Sequence, residues 1–512
     1  MKKTHKKYIH KIIIASLMIT CILIAGCNQT NNGNGPETGA SATGDTGNTN
    51  TSANPTGETA GKMEPWLADI DLKADGEFPG ELRIHTWNDP SEMEMMNALI
   101  AAFNQKYPYI RVQYTQDHAS TYYATMTNDF GAAVQTNDFS KAPDIYWMSQ
   151  DNITSFYNLG EIMVPLTKID EIDDSFSSDV FVDESLITCM VDETMYIMPR
   201  DFNQVVMYFN QDIFDVAGVP YPTAQMSGPA FMDMLAALRA GLDASTEVNG
   251  YGVPYKDACK YLVDVNSTWD SWVWPLAKSF GAQVVTPSGQ AVLNSDETYN
   301  AVQFWRTLRG NDYTFPPYGT SAGANFMMQQ SAVFIHTRSC MTMLITSTNQ
   351  LKGVPHLGVT ALPQFWDTYA VGSGCSGYSM YMNSQHKTEA WLFLKFMVSE
   401  EGQNALCSTG NGIPAVKSML LKEDSVWRKF SSPNLGSAYD SDAFIYGMGM
   451  TPSPYCSTRD FFRFIPITQQ SNVLQCLSTC FTAVDSGENT EFALKLNIKN
   501  QNDMIDYYMN RG

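Results

Sequence analysis

The chain has 512 residues and a formal net charge of −21 at pH 7, and residues 1–26 carry five lysines and no acid. One hydrophobic core does not ordinarily serve a chain of this length, so two or more domains are expected. The acidic balance excludes nucleic acid as an expected partner, because phosphate backbones bind basic surfaces.

Cysteine and histidine usage argues against catalytic and metal chemistry. Cys21 and Cys27 lie near the N-terminus, and the other eight cysteines are spread thinly without a C-x-x-C pair. We therefore expect small buried thiols, and one or two disulfides are compatible with an exported chain. The sequence has no H-E-x-x-H, P-loop or G-x-S-x-G motif and, after the leader, no histidines at metal-ligand spacing. No catalytic residue, cofactor or metal is expected.

The N-terminus is typical of an export signal with a lipid-attachment site. Residues 1–11 are basic, and residues 12–25 are largely apolar but short for a membrane span. The ending LIAGC, residues 23–27, resembles the lipobox of bacterial lipoproteins. That resemblance implies removal of a signal peptide, residues 1–26, and a diacylglyceryl group on Cys27. Two or more acyl chains would hold the protein stably on a membrane.

Residues 27–65 are expected to be the lipidated cysteine followed by a disordered tether. Residues 28–61 are mostly Asn, Gly, Thr and Ser, with almost no apolar side chain to bury. A flexible segment of roughly 34 residues has a mean reach of about 30–35 Å. The folded part would therefore be attached to the membrane through a flexible linker and would not be held against its surface.

The first folded segment, residues 82–114, predicts a strand, a helix and a second strand. Apolar and polar residues alternate at its two ends, and an apolar helical face lies between them. Asp89 is expected to cap the helix, with Pro90 at the first position and Glu92 completing a capping box. Strand, helix and strand with tight joints form a parallel crossover unit.

The loop after the first strand is the first candidate ligand site, because open parallel sheets bind ligands at that edge. It contains Trp87, Asn88 and Asp89, which offer an aromatic plate, an amide and a carboxylate to a neutral, hydroxyl-rich ligand. A carboxylate at the start of the helix disfavours an anionic ligand there. The alternative is that Asp89 only caps its helix and Trp87 only packs.

A short buried strand, residues 145–148, opens at its carboxyl end into Gln150 and Asp151. After a first strand ending in Trp, the segments FNQKYPYIRVQY, APDIYWMSQ and LGEIMVPL follow in order. This order resembles the family 1 extracellular solute-binding proteins of ABC importers, the group that contains maltose- and oligosaccharide-binding proteins. The resemblance covers roughly residues 80–500.

This resemblance implies an α/β fold of the two-lobe periplasmic-binding-protein class, type II, with a hinge and an interlobe cleft. The expected first lobe comprises residues 75–200 and 365–435. The expected second lobe comprises residues 201–364 and 436–512.

Residues 195–218, MYIMPRDFNQVVMYFNQDIFDVAG, resemble the family's segment that crosses between the lobes and lines the cleft. The resemblance makes Arg200, Asp201 and Asn203 candidate cleft residues and residues 199–205 a hinge strand. A local surface ion pair is the alternative for Arg200 and Asp201.

The glycine-rich segment GSGCSG, residues 372–377, formally matches G-x-G-x-x-G. Residues 378–382 predict a strand where that motif needs a helix. We therefore interpret the segment as a glycine-permissive crossing near the hinge. Residues 387–406 predict one amphipathic helix, and the last helix is expected near residues 491–509.

Three tryptophans, Trp269, Trp272 and Trp274, precede a predicted helix. A spacing of three places Trp269 and Trp272 on one side if this turn is helical. Aromatic faces suit the apolar C–H face of a pyranose ring, and the family resemblance implies sugar-stacking aromatics here. The alternative is a buried aromatic cluster, and Trp274 is the member assigned to the core.

A further ligand-facing loop is implied at residues 336–339, where the family often has Gly and Trp. This sequence has Arg338 and a serine instead, so a stacking role does not carry over. The planar guanidinium could hydrogen-bond sugar hydroxyls.

The leading functional hypothesis is a monomeric, lipid-anchored sugar or oligosaccharide receptor on the extracellular face of a Gram-positive cell membrane. Two lobes would close over the ligand, and the closed form would dock on the transmembrane subunits of an ABC permease. The protein would not be an enzyme.

Two other classes fit parts of the pattern. A surface glycosidase would use Asp89 and Asp151 as its two carboxylates. A receptor for peptides or small charged solutes would rely on Arg200 and Arg338 more than on the tryptophans.

Overall fold

The computed structural model describes residues 64–314, 323–346 and 352–511. The signal peptide, Cys27 and nearly all of the predicted tether lie outside the described residues. The chain divides into Met1–Asp69 and Ile70–Gly512. The described part of the first unit contains one short 3-10 helix, Pro65–Asp69. All elements below belong to the second unit.

The strands of the second unit are short and fall along the whole chain. They are β1 Gly80–Trp87, β2 Ile110–Asp117, β3 Ile145–Ser149, β4 Met190–Val191, β5 Thr194–Met195, β6 Met198–Pro199, β7 Asn203–Gln204, β8 Val206–Asn210, β9 Val263–Asp264, β10 Val333–His336, β11 Leu357–Ala361, β12 Val371–Gly374, β13 Ser376–Met380, β14 Leu435–Tyr439 and β15 Tyr455–Cys456.

The helices alternate with these strands and dominate the C-terminal region. They are α1 Pro90–Lys106, α2 Tyr122–Thr136, α3 Ile153–Tyr157, α4 Thr167–Asp170, α5 Asp183–Leu186, α6 Gln211–Ala217, α7 Gly228–Ala244, α8 Tyr255–Ala258, α9 Asp270–Ser279, α10 Asp296–Gly310, α11 Ala324–Met327, α12 Met341–Ile345, α13 Lys387–Met397, α14 Glu400–Cys407, α15 Lys417–Leu420, α16 Val426–Lys429, α17 Thr458–Phe461, α18 Ile467–Asp485 and α19 Glu491–Met509.

The first five-stranded sheet has the order β2-β1-β3-β13-β6. Strand β1 runs parallel to both β2 and β3, which confirms the predicted crossover unit. Strand β13 returns from late in the sequence and pairs antiparallel with β3. The carboxyl ends of β1 and β3 therefore lie at one edge of this sheet.

The second five-stranded sheet has the order β14-β11-β8-β10-β9. Its central strand β8 pairs antiparallel with β10 and β11. Every residue of β8 is buried, as expected for a strand covered on both faces.

Two chain segments cross from one large sheet to the other and pair on the way. Along the chain, strand β7 follows β6 of the first sheet and precedes β8 of the second. It pairs antiparallel with β12. Strand β12 leads directly into β13, so a strand and not a helix follows the glycine-rich segment, as the sequence predicted for residues 378–382. The residue boundaries expected for the two lobes stay a prediction.

The predicted helix over residues 387–406 is wrong in one respect, because the structure divides it into α13 and α14. Ser399 caps the second helix by accepting a hydrogen bond from the Gly402 N–H at 3.2 Å. At Gly402, a Cβ atom would lie 2.1 Å from the Phe396 carbonyl oxygen. The cap and this close backbone approach start a new helix where the sequence pattern continues. Helix α19 confirms the predicted last helix.

Candidate functional site

A cavity of about 190 Å³ lies where the two large sheets and the two crossing segments meet. The end of β3, the start of α9, the loop after β10 and both crossing segments supply its walls. The lining residues are Trp147, Ser149, Gln150, Asp151, Asn203, Val205, Trp269, Ser271, Thr337, Gly372, Ser373, Gly374, Cys375 and Ser376. Four residues predicted from the sequence are thereby brought together: Gln150, Asp151, Asn203 and Trp269.

Glycines let the crossing strand lie close to both walls of this cavity. A Cβ atom at Gly374 would lie 2.3 Å from Nε2 of Gln150, and one at Gly372 would lie 2.0 Å from the Ser271 carbonyl oxygen. Because these positions lack a side chain, Gln150 donates to the Ser373 carbonyl oxygen at 3.2 Å.

The cavity presents acceptor oxygens that have no protein partner. Among the described residues, neither the buried Oε1 of Gln150 nor the buried Oδ1 of Asp151 is hydrogen-bonded. A buried acceptor left unpaired is costly, so a ligand donor that displaced the atoms covering these oxygens would relieve that cost. Asn203 is oriented by its Nδ2, which donates to Oδ1 of Asp201 at 3.0 Å.

Two carboxyl groups near the cavity have raised pKa values. Burial raises the pKa of Asp151 to about 6. Burial, with added repulsion from Asp151, raises the pKa of Asp270 to about 7. Asp270 is the first residue of α9 and lies between two lining residues, Trp269 and Ser271. Both carboxyl groups therefore hold a proton more tightly than an aspartate exposed to water does.

Aromatic rings lie on two sides of the cavity. Trp269 stacks on His336 with ring centroids 4.8 Å apart, and His336 stacks in turn on Phe334. Burial lowers the pKa of His336 to about 4, so its imidazole is neutral at physiological pH. On the other side, Trp147 contacts Trp87, with ring centroids 5.3 Å apart. Trp147 is a lining residue that the sequence did not mark, because strand alternation does not show which face meets a cavity.

The loop after β1 lies next to the cavity but does not line it. Asp89 caps α1 by accepting from the backbone N–H groups of Ser91 and Glu92 at 2.9 and 3.0 Å. Trp87 reaches the cavity only through its contact with Trp147, and Asn88 is exposed. Ligand contacts by Trp87, Asn88 and Asp89 stay predictions.

The predicted capping box is wrong at Glu92. Its carboxylate accepts from the Tyr378 hydroxyl at 2.9 Å and pairs with Arg200. Glu92 is 3% exposed. Its buried charge is paired with Arg200, which lies 108 residues later in the sequence.

Arg200 and Asp201 form a buried network behind Ser376 and do not lie on the cavity surface. Arg200 donates through Nη2 to Asp201 at 2.7 Å and to the Ser376 hydroxyl at 2.9 Å. The backbone N–H and hydroxyl of Ser376 both donate to Asp201. The alternative of a surface ion pair is wrong, because Arg200 is 2% exposed and Asp201 is 1% exposed.

Trp272 and Arg338 are buried in this conformation and do not reach the cavity. Trp272 packs edge-on against Phe365, with ring centroids 5.4 Å apart. Arg338 donates to the carbonyl oxygens of Gly410 and Trp427 at 2.9 and 2.7 Å. Its guanidinium also lies 5.4 Å from the ring centroid of Trp427. Both side chains hold the core together here, as Trp274 does in agreement with its assignment.

A larger cavity of about 690 Å³ adjoins the first one, and the two share Ser373. Sequence reasoning missed it, because its walls come from segments without a recognisable motif. Its lining residues are Thr154, Asp183, Glu184, Ile187, Val191, Asp192, Ser373, Ser453, Tyr455, Ser457, Arg459, Asp460, Phe462, Arg463, Ile465, Pro466, Ile467 and Gln470. Arg459 ties the walls together by donating to the carbonyl oxygens of Met190 and Asp192.

The described part of the chain contains neither a cluster of metal ligands nor a membrane-spanning helix. No group of three or more His, Cys, Asp or Glu side chains could hold a metal ion within residues 64–314, 323–346 and 352–511. In the same ranges, no helix has the length and apolar character needed to cross a membrane.

Solved structures show the same fold over most of this chain. An ABC substrate-binding protein of Listeria monocytogenes in complex with cycloalternan matches with a TM-score of 0.67 and 17% identity over 85% of this chain and 100% of that one. The GacH receptor of Streptomyces glaucescens, solved unliganded and with acarbose, gives 0.63 and 16% over 85% and 99%. The sugar-binding protein MalE of Xanthomonas citri gives 0.60 and 13% over 84% and 98%. The predicted two-lobe α/β fold is confirmed.

Curated relatives match a smaller share of this chain than the solved structures do. A protein of Brucella abortus named as a binding protein is 25% identical over 248 residues, which is 46% of this chain and 54% of that protein. The chain thus spans about half the length of the curated relatives it matches. The family model of bacterial extracellular solute-binding proteins matches residues 98–431, well over half of the sequence. The chain therefore belongs to the bacterial extracellular solute-binding protein family.

Proposed function

We propose that this protein captures a sugar or oligosaccharide between its two lobes and delivers it to an ABC permease. One observation carries the proposal: the small cavity places partnerless acceptor oxygens of Gln150 and Asp151 beside the aromatic rings of Trp147 and Trp269. A carbohydrate needs this combination, because hydroxyl groups donate hydrogen bonds while the C–H face of the ring packs on an aromatic plate.

The size of the site favours more than one sugar unit. The adjoining cavity of about 690 Å³ falls within the usual range of ligand pockets, about 300–1,000 Å³. The two cavities meet at Ser373 on the crossing strand. An oligosaccharide that occupied both would contact both sheets and both crossing segments.

Ligand binding would favour the closed arrangement of the lobes. A ligand shifts an open–closed equilibrium only through contacts made in one of the two states. Gln150 and Asp151 follow β3 of the first sheet, whereas Trp269 precedes α9 and Thr337 follows β10 of the second sheet. Simultaneous contact with both groups requires the lobes to be near each other.

Anchoring through Cys27 completes the proposal and accounts for capture at the membrane. The Cys27→Ser variant should lose incorporation of labelled palmitate, while a Cys21→Ser variant should keep it. Labelled palmitate on the Cys27→Ser protein would contradict lipid attachment at this residue.

The test of function is a thermal-shift screen of the full chain against mono- and oligosaccharides, amino acids and short peptides. A ligand at about 100 times its dissociation constant stabilises the native state by roughly 2.7 kcal/mol, which is visible as a higher melting temperature. We expect a shift with one saccharide class and recovery of that saccharide unchanged. Cleaved product would instead indicate a glycosidase, and a shift with peptides or charged solutes alone would overturn the sugar assignment.

A further inference from the structure

We propose that Cys189 and Cys375 form a disulfide bond that fastens the crossing strand to the first lobe. The two residues are 186 positions apart in sequence, and their sulfur atoms lie 2.7 Å from each other. Non-bonded heavy atoms ordinarily approach to about 3.5–4.0 Å, whereas a disulfide bond measures about 2.05 Å. The fold has therefore already brought the two sulfurs nearer than ordinary non-bonded contact.

The surroundings of the pair separate it from the other described thiols. Cys189 is fully buried, and Cys375 is 5% exposed. Cys340, Cys456 and Cys480 each direct the sulfur to a backbone carbonyl oxygen at 3.3–3.4 Å. Cys375 also has the Ser185 carbonyl oxygen at 3.5 Å, so the feature that distinguishes the pair is its sulfur–sulfur contact. Cys480 and its helix neighbour Cys476 share a turn of α18 without a sulfur–sulfur contact of this kind.

The bond would join two elements that flank both cavities. Cys189 ends the 3-10 helix Ile187–Cys189, whose first residue lines the larger cavity. Cys375 lies between β12 and β13 and lines the smaller cavity. Its neighbour Ser376 is already held by Asp201. A bond at Cys375 would thus fix the first-lobe end of the crossing strand, so that bending concentrates in β12 and β7.

Formation of the bond requires an oxidant, and a disulfide of an extracytoplasmic thiol–disulfide exchange protein is the class that fits an extracellular family. One cysteine thiolate attacks the donor disulfide, expels the first donor thiolate and leaves a mixed disulfide. The second cysteine thiolate then attacks this intermediate, forms the Cys189–Cys375 bond and expels the second donor thiolate. Two cysteine sulfurs are oxidised, the donor disulfide is reduced to two thiols, and the two cysteine protons end on those thiols. Burial raises the pKa of Cys189 well above its usual range, so this exchange would occur before the segment is packed away.

The test is differential alkylation of the exported full chain. The protein is quenched in acid, denatured with N-ethylmaleimide, then reduced and treated with iodoacetamide before peptide mapping. We expect Cys189 and Cys375 to carry the second label and Cys259, a buried thiol that donates to the Gln329 carbonyl oxygen, to carry the first. The first label on both Cys189 and Cys375 would overturn the proposal.

Variants separate the bond from its structural effect. In Cys375→Ser, the remaining Cys189 should take the first label, whereas Cys259→Ser should leave the bridge unchanged. The double variant Cys189→Ser/Cys375→Ser has no unpaired thiol at this position and should melt roughly 5 °C lower than the wild type. A mapped bond with an unchanged melting temperature in the double variant would overturn its role as a fastening of the crossing strand.

Discussion

The contribution of single residues to the site depends on how much of each side chain the fold leaves accessible. Trp269 and Trp272 are only three positions apart, yet Trp269 lines the cavity and Trp272 is 1% exposed. Asp151 and Asp270, by contrast, are more than 100 residues apart in sequence, yet the charge of Asp151 raises the pKa of Asp270. These pairs support separate predictions for affinity and for stability.

Removing the Trp269 ring should weaken ligand binding without a large loss of stability. We expect Trp269→Ala to lower carbohydrate affinity at least about tenfold, because the variant lacks the aromatic plate. A tenfold change corresponds to about 1.4 kcal/mol of binding free energy. Calorimetric titration with the saccharide identified by the screen would measure it. The matched control is Trp366→Ala, because Trp366 stacks on Phe280 and is 49% exposed but lines neither cavity. Equal losses of affinity in both variants would exclude a specific role for Trp269.

Replacing Asp270 should change how stability depends on pH. The folded-state pKa of Asp270, about 7, lies above the value near 3.9 of an unfolded aspartate. Between these values the native state binds more protons than the unfolded state, so its free energy of unfolding falls as pH rises. Asp270→Asn should therefore flatten the pH profile and stabilise the protein at pH 8 by up to about 4 kcal/mol, at roughly 1.36 kcal/mol per pKa unit.

Urea unfolding from pH 4 to pH 8 would measure this effect. Asp296→Asn is the matched control, since Asp296 is also the first residue of a helix but is exposed. An Asp270→Asn profile parallel to that of the wild type would contradict the assignment.

At the scale of elements, helix α1 couples the start of the fold to the site. Asp89 caps it, and Glu92 in its first turn pairs with Arg200 from the segment between β6 and β7. Since a buried pair left with one partner costs about 3–5 kcal/mol, this pair secures α1 to the crossing segment.

A substitution at Asp89 can separate capping from ligand contact. Serine also caps helices well, so Asp89→Ser should keep the melting temperature near that of the wild type, while Asp89→Ala should cost about 1 kcal/mol. If Asp89 binds sugar hydroxyls through its carboxylate, both variants lose affinity. If Asp89 only caps α1, Asp89→Ser retains wild-type affinity, and titration of the three proteins decides between these roles.

At the scale of the whole molecule, two crossing segments connect two large sheets, and the cavities lie beside these segments. This architecture allows the lobes to move as units while bending is limited to a few residues. We expect the radius of gyration measured by small-angle X-ray scattering to fall when saturating saccharide is added. At a saccharide concentration near the wild-type dissociation constant, the Trp269→Ala protein should show a smaller fall than the wild type, because fewer of its molecules are occupied. An unchanged radius in the saturated wild type would contradict ligand-driven closure.

The sequence by itself determined the fold class, the crossover unit and several parts of the site. Strand alternation and the Asp89–Pro90 helix start are local signals, and each is visible within a short window. The two-lobe fold class was implied by the order of segments along roughly residues 80–500, which resembles a known family. Because parallel strands bring their carboxyl ends to one edge, Gln150 and Asp151 could be placed at the site from sequence alone.

Only the tertiary structure decided which side chains are covered, because burial depends on segments that are distant in sequence. Arg200 is enclosed by Glu92 and Ser376, and Arg338 is enclosed by the chain near residues 410–439. Helical spacing shows which residues share a face but not which partner will cover that face, so Trp272 could not be separated from Trp269. The larger cavity and the Cys189–Cys375 contact have the same origin, since each arises where segments more than 180 residues apart are packed together.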